Sequence, residues 1–211
     1  MKSPRGANNL PFDSTYWNEI YGDGYDVDGT FNAKEHAKYL KAIFDLMNIE
    51  VRSLLDVGFG KGILLKEFAA AFRPARIVAI DPSEERIQEI LRKKWIQKYN
   101  IAIKCGDISS SKIHGQYTLA IFNSVAQYIP GDLEIIFKKL SRVARYVYFS
   151  APTDKDYTRM KKEVRFTDPY AHHRSRKEYL AAISPWYNIV SYNLLERKSK
   201  STKFNDEIFV Q

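Results

Sequence analysis

The residues whose types and spacing could do chemistry are concentrated in Leu54-Leu55-Asp56-Val57-Gly58-Phe59-Gly60-Lys61-Gly62. An apolar run meets three glycines at alternate positions, and a helical pattern begins at once. Glycine admits sharp turns and lets a ligand rest against bare main chain. A helix opening near Gly62 adds N–H groups and a positive dipole end that favour a negative group. Strand, loop and helix in this order read as a cofactor cradle; the plainer reading is a tight strand-to-helix turn that holds nothing. The dinucleotide fingerprint G-x-G-x-x-G needs its third glycine at position 63, which is Ile63. A Walker-type phosphate loop is excluded, because no G-K-[ST] follows the glycines.

Further acids and polar residues recur where later strands end. Arg76 to Ile80 runs apolar into Asp81-Pro82-Ser83. A carboxylate there has two acceptor oxygens and no donor, which suits the two hydroxyls of a ribose. The other reading makes Asp81 a cap of the helix that follows, although Ser83 with Glu84 and Glu85 already supplies one. A third strand, Ile101 to Lys104, leads into Cys105-Gly106-Asp107-Ile108. A fourth, Tyr117 to Phe122, opens into Asn123-Ser124-Val125-Ala126-Gln127-Tyr128-Ile129-Pro130.

The D-x-G-x-G-x-G run from Asp56 to Gly62, followed by these three strand ends in order, resembles the class I methyltransferases that use S-adenosylmethionine (SAM). The resemblance spans roughly residues 50–150. It implies SAM as cofactor, S-adenosylhomocysteine as product, and a Rossmann-like three-layer α/β sandwich. Its sheet would have seven strands, mostly parallel, with the last antiparallel and helices on both faces. It places Asp56, Gly58, Phe59, Gly60 and Gly62 in the first cofactor motif, and Asp81 with Pro82 beside the ribose. Asp107, after Gly106, would accept from the adenine amine while Ile108 packs on the ring. Asn123 and Ser124 would lie beneath the methyl group. The Asn-Pro-Pro-Tyr motif of base and amide methyltransferases is absent, since Ser124 follows Asn123. The run Asn123 to Tyr128 is similar to N-methylation domains of peptide synthetases.

Substrate-side residues are Tyr21, Tyr25, Gln127, Tyr128 and His172. A sulfonium methyl is already activated, so alignment in a dry site is the main demand, and a base is needed only for a protonated or hydroxyl acceptor. Tyr128 either donates a hydrogen bond to substrate or closes the pocket floor. His172 and His173 either supply a base near neutral pH or sit in a loop that faces water. The aromatic opening with Tyr16, Trp17, Tyr21 and Tyr25 is either a lid over cofactor and acceptor, with Tyr16 against the cofactor, or a docking segment for the chain end.

These groups must be held by elements, and the pattern predicts one alternating α/β domain over residues 1–211. Residues 1–32 form the lid or docking segment, 50–150 the cofactor core, and 151–186 a substrate-side insertion. Helical stripes run through Leu40, Ile43, Phe44 and Met47, through Leu64, Leu65, Phe68 and Phe72, through Ile87, Ile90 and Leu91, and through Leu133, Ile136, Phe137 and Leu140. A fifth strand covers Tyr146 to Ser150, a helix Ser175 to Ile183, and late strands Tyr187 to Leu195 and Asp206 to Val210. A single cysteine and the lack of C-x-x-C or H-x-x-x-H spacing predict no disulfide and no zinc. No apolar run approaches the roughly 20 residues of a membrane span, and the first residues do not read as a signal peptide, which predicts a cytoplasmic protein.

The net charge of +8 fits solubility or a nucleic-acid partner. Arg92-Lys93-Lys94 and Lys138-Lys139 read as solvated helix faces, while the Arg159–Arg165 and Arg174–Lys177 clusters flank the loop after strand five. A small molecule is the leading substrate class. The alternatives are an RNA or protein methyltransferase and a non-catalytic SAM-binding partner.

Overall fold

The computed structural model describes Tyr16 and residues 30–198. Helix α1 (Ala33–Leu46) precedes β1 (Ser53–Val57), and the glycine loop leads into α2 (Ile63–Phe72). There follow β2 (Arg76–Asp81), α3 (Glu84–Leu91), α4 (Lys94–Tyr99), β3 (Ile101–Cys105) and β4 (Tyr117–Asn123). After a 3-10 turn, Ala126–Tyr128, come α5 (Leu133–Ser141), β5 (Ala144–Ser150), α6 (Asp154–Val164), α7 (Arg176–Ile183), β6 (Tyr187–Ser191) and β7 (Leu194–Arg197).

The strands form one seven-stranded sheet in the order β3-β2-β1-β4-β5-β7-β6. The first five pair in parallel, and β7 inserts antiparallel between β5 and β6. The period-2 alternation of strands explains the layering. In β1, Leu55 and Val57 join the core beneath α5 and α7 with Phe137, Leu140 and Ile183. Leu54 joins the opposite core with Phe44 of α1 and Phe68 of α2. Both faces are covered, so β1 and β4 are almost continuously apolar. Each fully buried Leu or Phe in these layers contributes roughly 1.5–3 kcal/mol over leaving it exposed.

Three readings of the sequence are corrected. The stretch Tyr187 to Leu195 is a hairpin rather than one strand, because Asn193 takes a left-handed φ of 56° and reverses the chain. The Arg159–Arg165 and Arg174–Lys177 clusters do flank a loop, which follows a helix that the sequence pattern did not predict: α6 starts with a Thr153–Asp156 capping box. Leu91 is exposed at the end of α3, where only Ile90 is fully buried. Lys139 is no solvated face, since its Nζ donates to the carbonyls of Ile108 and Ser109 at 2.7 and 3.1 Å. The strand expected over Asp206 to Val210 lies outside the described residues, as do Trp17, Tyr21 and Tyr25.

Candidate active site

In an open α/β sheet ligands bind at the carboxyl ends of the strands, where the strand order reverses. Here the reversal falls between β1 and β4, whose residues pair from Leu54↔Leu119 to Asp56↔Ile121. The glycine loop sits at that point. Gly58 has φ 72° and its N–H donates to the Ile80 carbonyl at 2.7 Å. A Cβ on Gly58 would collide with Val125 Cγ2, so the loop and the segment after β4 approach more closely than a side chain allows. Gly62 caps α2 with φ 72°, and a Cβ there would strike Ile90 of α3.

Asp81 ties this loop to the end of β2. Its Oδ2 accepts from the Gly60 N–H at 2.8 Å and its Oδ1 from the Ser83 N–H at 2.9 Å. Ser83 is the cap of α3, its side chain accepting from the Arg86 N–H, so the cap role belongs to Ser83. Each Asp81 oxygen carries one such bond, and a carboxylate oxygen has two lone pairs. Asp81 is buried, and loss of water raises its pKa against the pull of the Gly60 and Ser83 N–H groups and of Arg86. Asp56 lies at the end of β1 and is only 2 % exposed. Burial first, and then the negative charge of Asp81, raise its pKa well above the ordinary carboxylate value.

A cleft of about 60 Å³ opens between the glycine loop and the end of β4. Of the residues singled out in the sequence it gathers Asp56, Gly58, Phe59, Gly60, Asn123, Ser124 and Tyr128. Thr30, Lys61, Ile63, Leu64 and Ile121 also line it, and no sequence signal had marked them as site residues. A space of this size has room for a few waters. Ser124 holds φ 52°, and it is the one left-handed non-glycine among the described residues that sits neither after a helix nor in a hairpin turn. Such a conformation costs roughly 1–2 kcal/mol, and strain of this kind gathers at functional sites.

The other expected residues fall outside this lining. Asp107 is engaged locally, accepting from the N–H groups of Ser109 and Ser110 and the Ser110 hydroxyl, which lower its pKa against the opposing effect of burial. Ile108 is 2 % exposed and packed in the core, so no face of it meets a ring at the surface. Gly106 has φ 149° and Pro82 is exposed. His172 and His173 are exposed; His173 stacks on Tyr157 at 4.0 Å, and His172 touches the site through its N–H, which donates to the Gln127 carbonyl at 2.7 Å. Its ring pKa is lowered by desolvation and by Arg174 and His173.

Two residues that the sequence did not mark connect the segment after α6 to the end of β4. Asp168 is buried, and its Oδ2 accepts from the Tyr16 hydroxyl at 3.1 Å and the Tyr128 hydroxyl at 2.8 Å. Arg174 donates to the carbonyls of Ala126, Ile129 and Gly131 and so fastens the 3-10 turn from below. The Tyr16 ring meets Tyr128 and Tyr170 edge-on at 6.3 and 5.7 Å.

A larger cavity, about 870 Å³, lies at the opposite end of the strands, between Lys41, Asn48, Arg52, Gln116, Arg145 and Arg197. Lys41, Arg52 and Arg145 already pair with Asp45, Glu50 and Glu196, Arg197 donates to the Ser141 carbonyl, and the cavity contains none of the loop residues. The smaller cleft is therefore the candidate site.

Residues 54–146 match the family described as a methyltransferase domain. This stretch, under half of the chain, is similar to a methyltransferase domain. Malonyl-[acyl-carrier protein] O-methyltransferase of Priestia megaterium is 34% identical over 88 residues, 42% of this chain and 31% of that protein. The chain thus spans about a third of the length of the curated relatives it matches. A SAM-dependent methyltransferase from Clostridium acetobutylicum has the same fold, with a TM-score of 0.64 at 15% identity over 84% of this chain and 87% of that one. The plantazolicin methyltransferase BpumL, solved with a substrate analogue and S-adenosylhomocysteine, has a TM-score of 0.64 at 16% identity over 82% of this chain and 66% of its own.

The methyltransferase cradle fits a SAM-type ligand on the chain's own geometry. Gly58 lets the loop close against the end of β4, Asp81 has acceptor capacity left for hydroxyls, and buried Asp56 rewards a positive group.

Proposed function

We propose that this protein transfers a methyl group from SAM to a nucleophilic nitrogen or oxygen of a small molecule. The observation that carries the reading is the Asp81-pinned glycine loop at the β1/β4 switch point, with the Asp56 carboxylate in the same cleft. Asp56, Gly58 and Gly60 would hold the amino-acid end of the cofactor and Asp81 its ribose. When bound, SAM supplies a sulfonium-activated methyl whose C–S bond breaks as the acceptor's lone pair bonds to carbon. The chain's part is to align the acceptor and keep water out. Phe59, Leu64 and Ile121 give the cleft dry walls, and Asn123 and Ser124 form its floor.

BpumL, solved with an analogue of its substrate, supports this substrate scale, whereas the Priestia protein is named for a malonyl group borne on a carrier protein. In this reading residues 1–32 close over the cleft, and buried Tyr16, joined to Asp168, supports that role. Residues 151–186 supply the acceptor side of a single domain in the cytoplasm. A second reading, RNA or protein as acceptor, is favoured by the exposed cations Lys155, Arg159, Lys161 and Lys162 on α6. Incubation of the full chain with methyl-labelled SAM and a size-fractionated cell extract separates the two. Label in the fraction below about 1 kDa supports the proposal, and label confined to RNA or protein overturns it.

A further inference from the structure

The methyltransferase reading leaves the acceptor open, and the polar groups beside the cleft narrow it. Tyr128 lines the cleft, and its hydroxyl proton is committed to Asp168, as is that of Tyr16. A phenol has one hydrogen. Toward any further partner, therefore, both oxygens act as acceptors, and Tyr128 does not donate to substrate as the sequence allowed. Asp168 itself is only 5 % exposed. It accepts from the two phenols and, through Oδ1, from the Tyr170 N–H at 2.9 Å. None of the ion pairs among the described residues includes it. A carboxylate withdrawn from water with hydrogen bonds but no cation rewards a positive group brought near it. On the same turn as Tyr128, Gln127 is buried and its Oε1 has no hydrogen-bond partner, which adds a second acceptor in want of a donor.

We infer that the substrate side of the cleft at Tyr128 recognises a hydrogen-bond donor bearing positive charge, an aliphatic ammonium group of the substrate that is not the atom being methylated, and discriminates against carboxylates. A carboxylate there would bring lone pairs against the Tyr128 oxygen and a second negative charge toward Asp168. The cost of a like charge and an unmatched acceptor is the means of discrimination. Asp168 is here a positioning residue, acting on substrate through the phenol that it orients. The inference rests on the methyltransferase reading, and its test separates the two.

The full chain, saturated with S-adenosylhomocysteine, is titrated by ligand-observed NMR with two matched pairs: phenethylamine against 3-phenylpropanoate, and cyclohexylamine against cyclohexanecarboxylate. The amine of each pair is expected to bind at least about tenfold tighter than its carboxylate. Asp168→Asn should shrink that ratio below about threefold, read with S-adenosylhomocysteine kept saturating for the variant as well. Tyr128→Phe, which keeps the ring and removes the acceptor oxygen, should narrow it in the same direction and serves if Asp168→Asn does not fold. Carboxylates binding as well as amines, no measurable amine binding, or a preference that survives both substitutions overturns the inference and leaves the methyltransferase reading standing. Failure of S-adenosylhomocysteine to bind the unmodified chain overturns both.

Discussion

Replacing Gly58 with alanine tests how the glycine loop is held. Two costs can be separated. At φ 72° an L-residue sits in the left-handed region, at about 1–2 kcal/mol. The new methyl would also overlap Val125 Cγ2, with Cγ1 at 3.3 Å, and overpacking of this kind costs about 1–3 kcal/mol. The sum is a loss of about 2–5 kcal/mol, a large share of the 5–15 kcal/mol typical of a domain. Urea unfolding measures it as a fall in midpoint at unchanged slope. In the Val125→Ala background both Cγ atoms are gone, and Gly58→Ala should cost only the backbone share, about 1–2 kcal/mol. The Val125 Cβ, at 3.5 Å, is an ordinary contact and adds little. A loss below about 0.5 kcal/mol in the natural background, or the same loss in both, would refute the reasoning that close approach to the end of β4 requires this glycine.

Asp56→Asn should stabilise the ligand-free protein at pH 7. The folded pKa of Asp56 is raised, so the folded state binds the proton more tightly than the unfolded chain. The natural protein therefore loses stability as pH climbs from about 4 through the raised value, and the loss is complete above it. Urea midpoints from pH 4 to 8 should show the variant ahead at pH 7 and the gap closing toward pH 4; a gap that ignores pH would contradict the assignment. Thr153→Ala removes the oxygen that caps α6 and should cost about 1 kcal/mol, visible as a lower thermal midpoint, whereas no change would mean that the capping box contributes nothing measurable.

Where the sequence was legible, one physical pattern dominated. The strands β1, β2 and β4 are buried on both faces, so their apolar runs are unbroken, and the residues at their ends are set by chain direction alone. The glycine loop, Asp56 and Asp81 could be placed for that reason. Helix α6 was missed because it buries only Tyr157 and its apolar stripe is thin, Tyr157, Met160 and Val164, although Thr153-Asp154-Lys155-Asp156 carries a capping signal. The hairpin depended on the conformation of one residue, Asn193. Asp168 was beyond local reading altogether: it meets Tyr128 across 40 residues and Tyr16 across 152, and nothing in its own neighbourhood announces either. Gly106, Asp107 and Ile108 have the expected spacing; Ile108 packs in the core, and a local turn engages Asp107 Oδ1 twice while Oδ2 carries one bond.

The most direct test of the cofactor site is calorimetric titration of S-adenosylhomocysteine into the full chain and into Asp81→Asn. The natural chain should bind in the micromolar range. The variant keeps the size of the side chain but loses its charge and one acceptor, and should bind more weakly by about 1.5–3 kcal/mol, the worth of hydrogen bonds to a charged group. No binding to the natural chain, or equal binding to both, would contradict a site built on the glycine loop and Asp81.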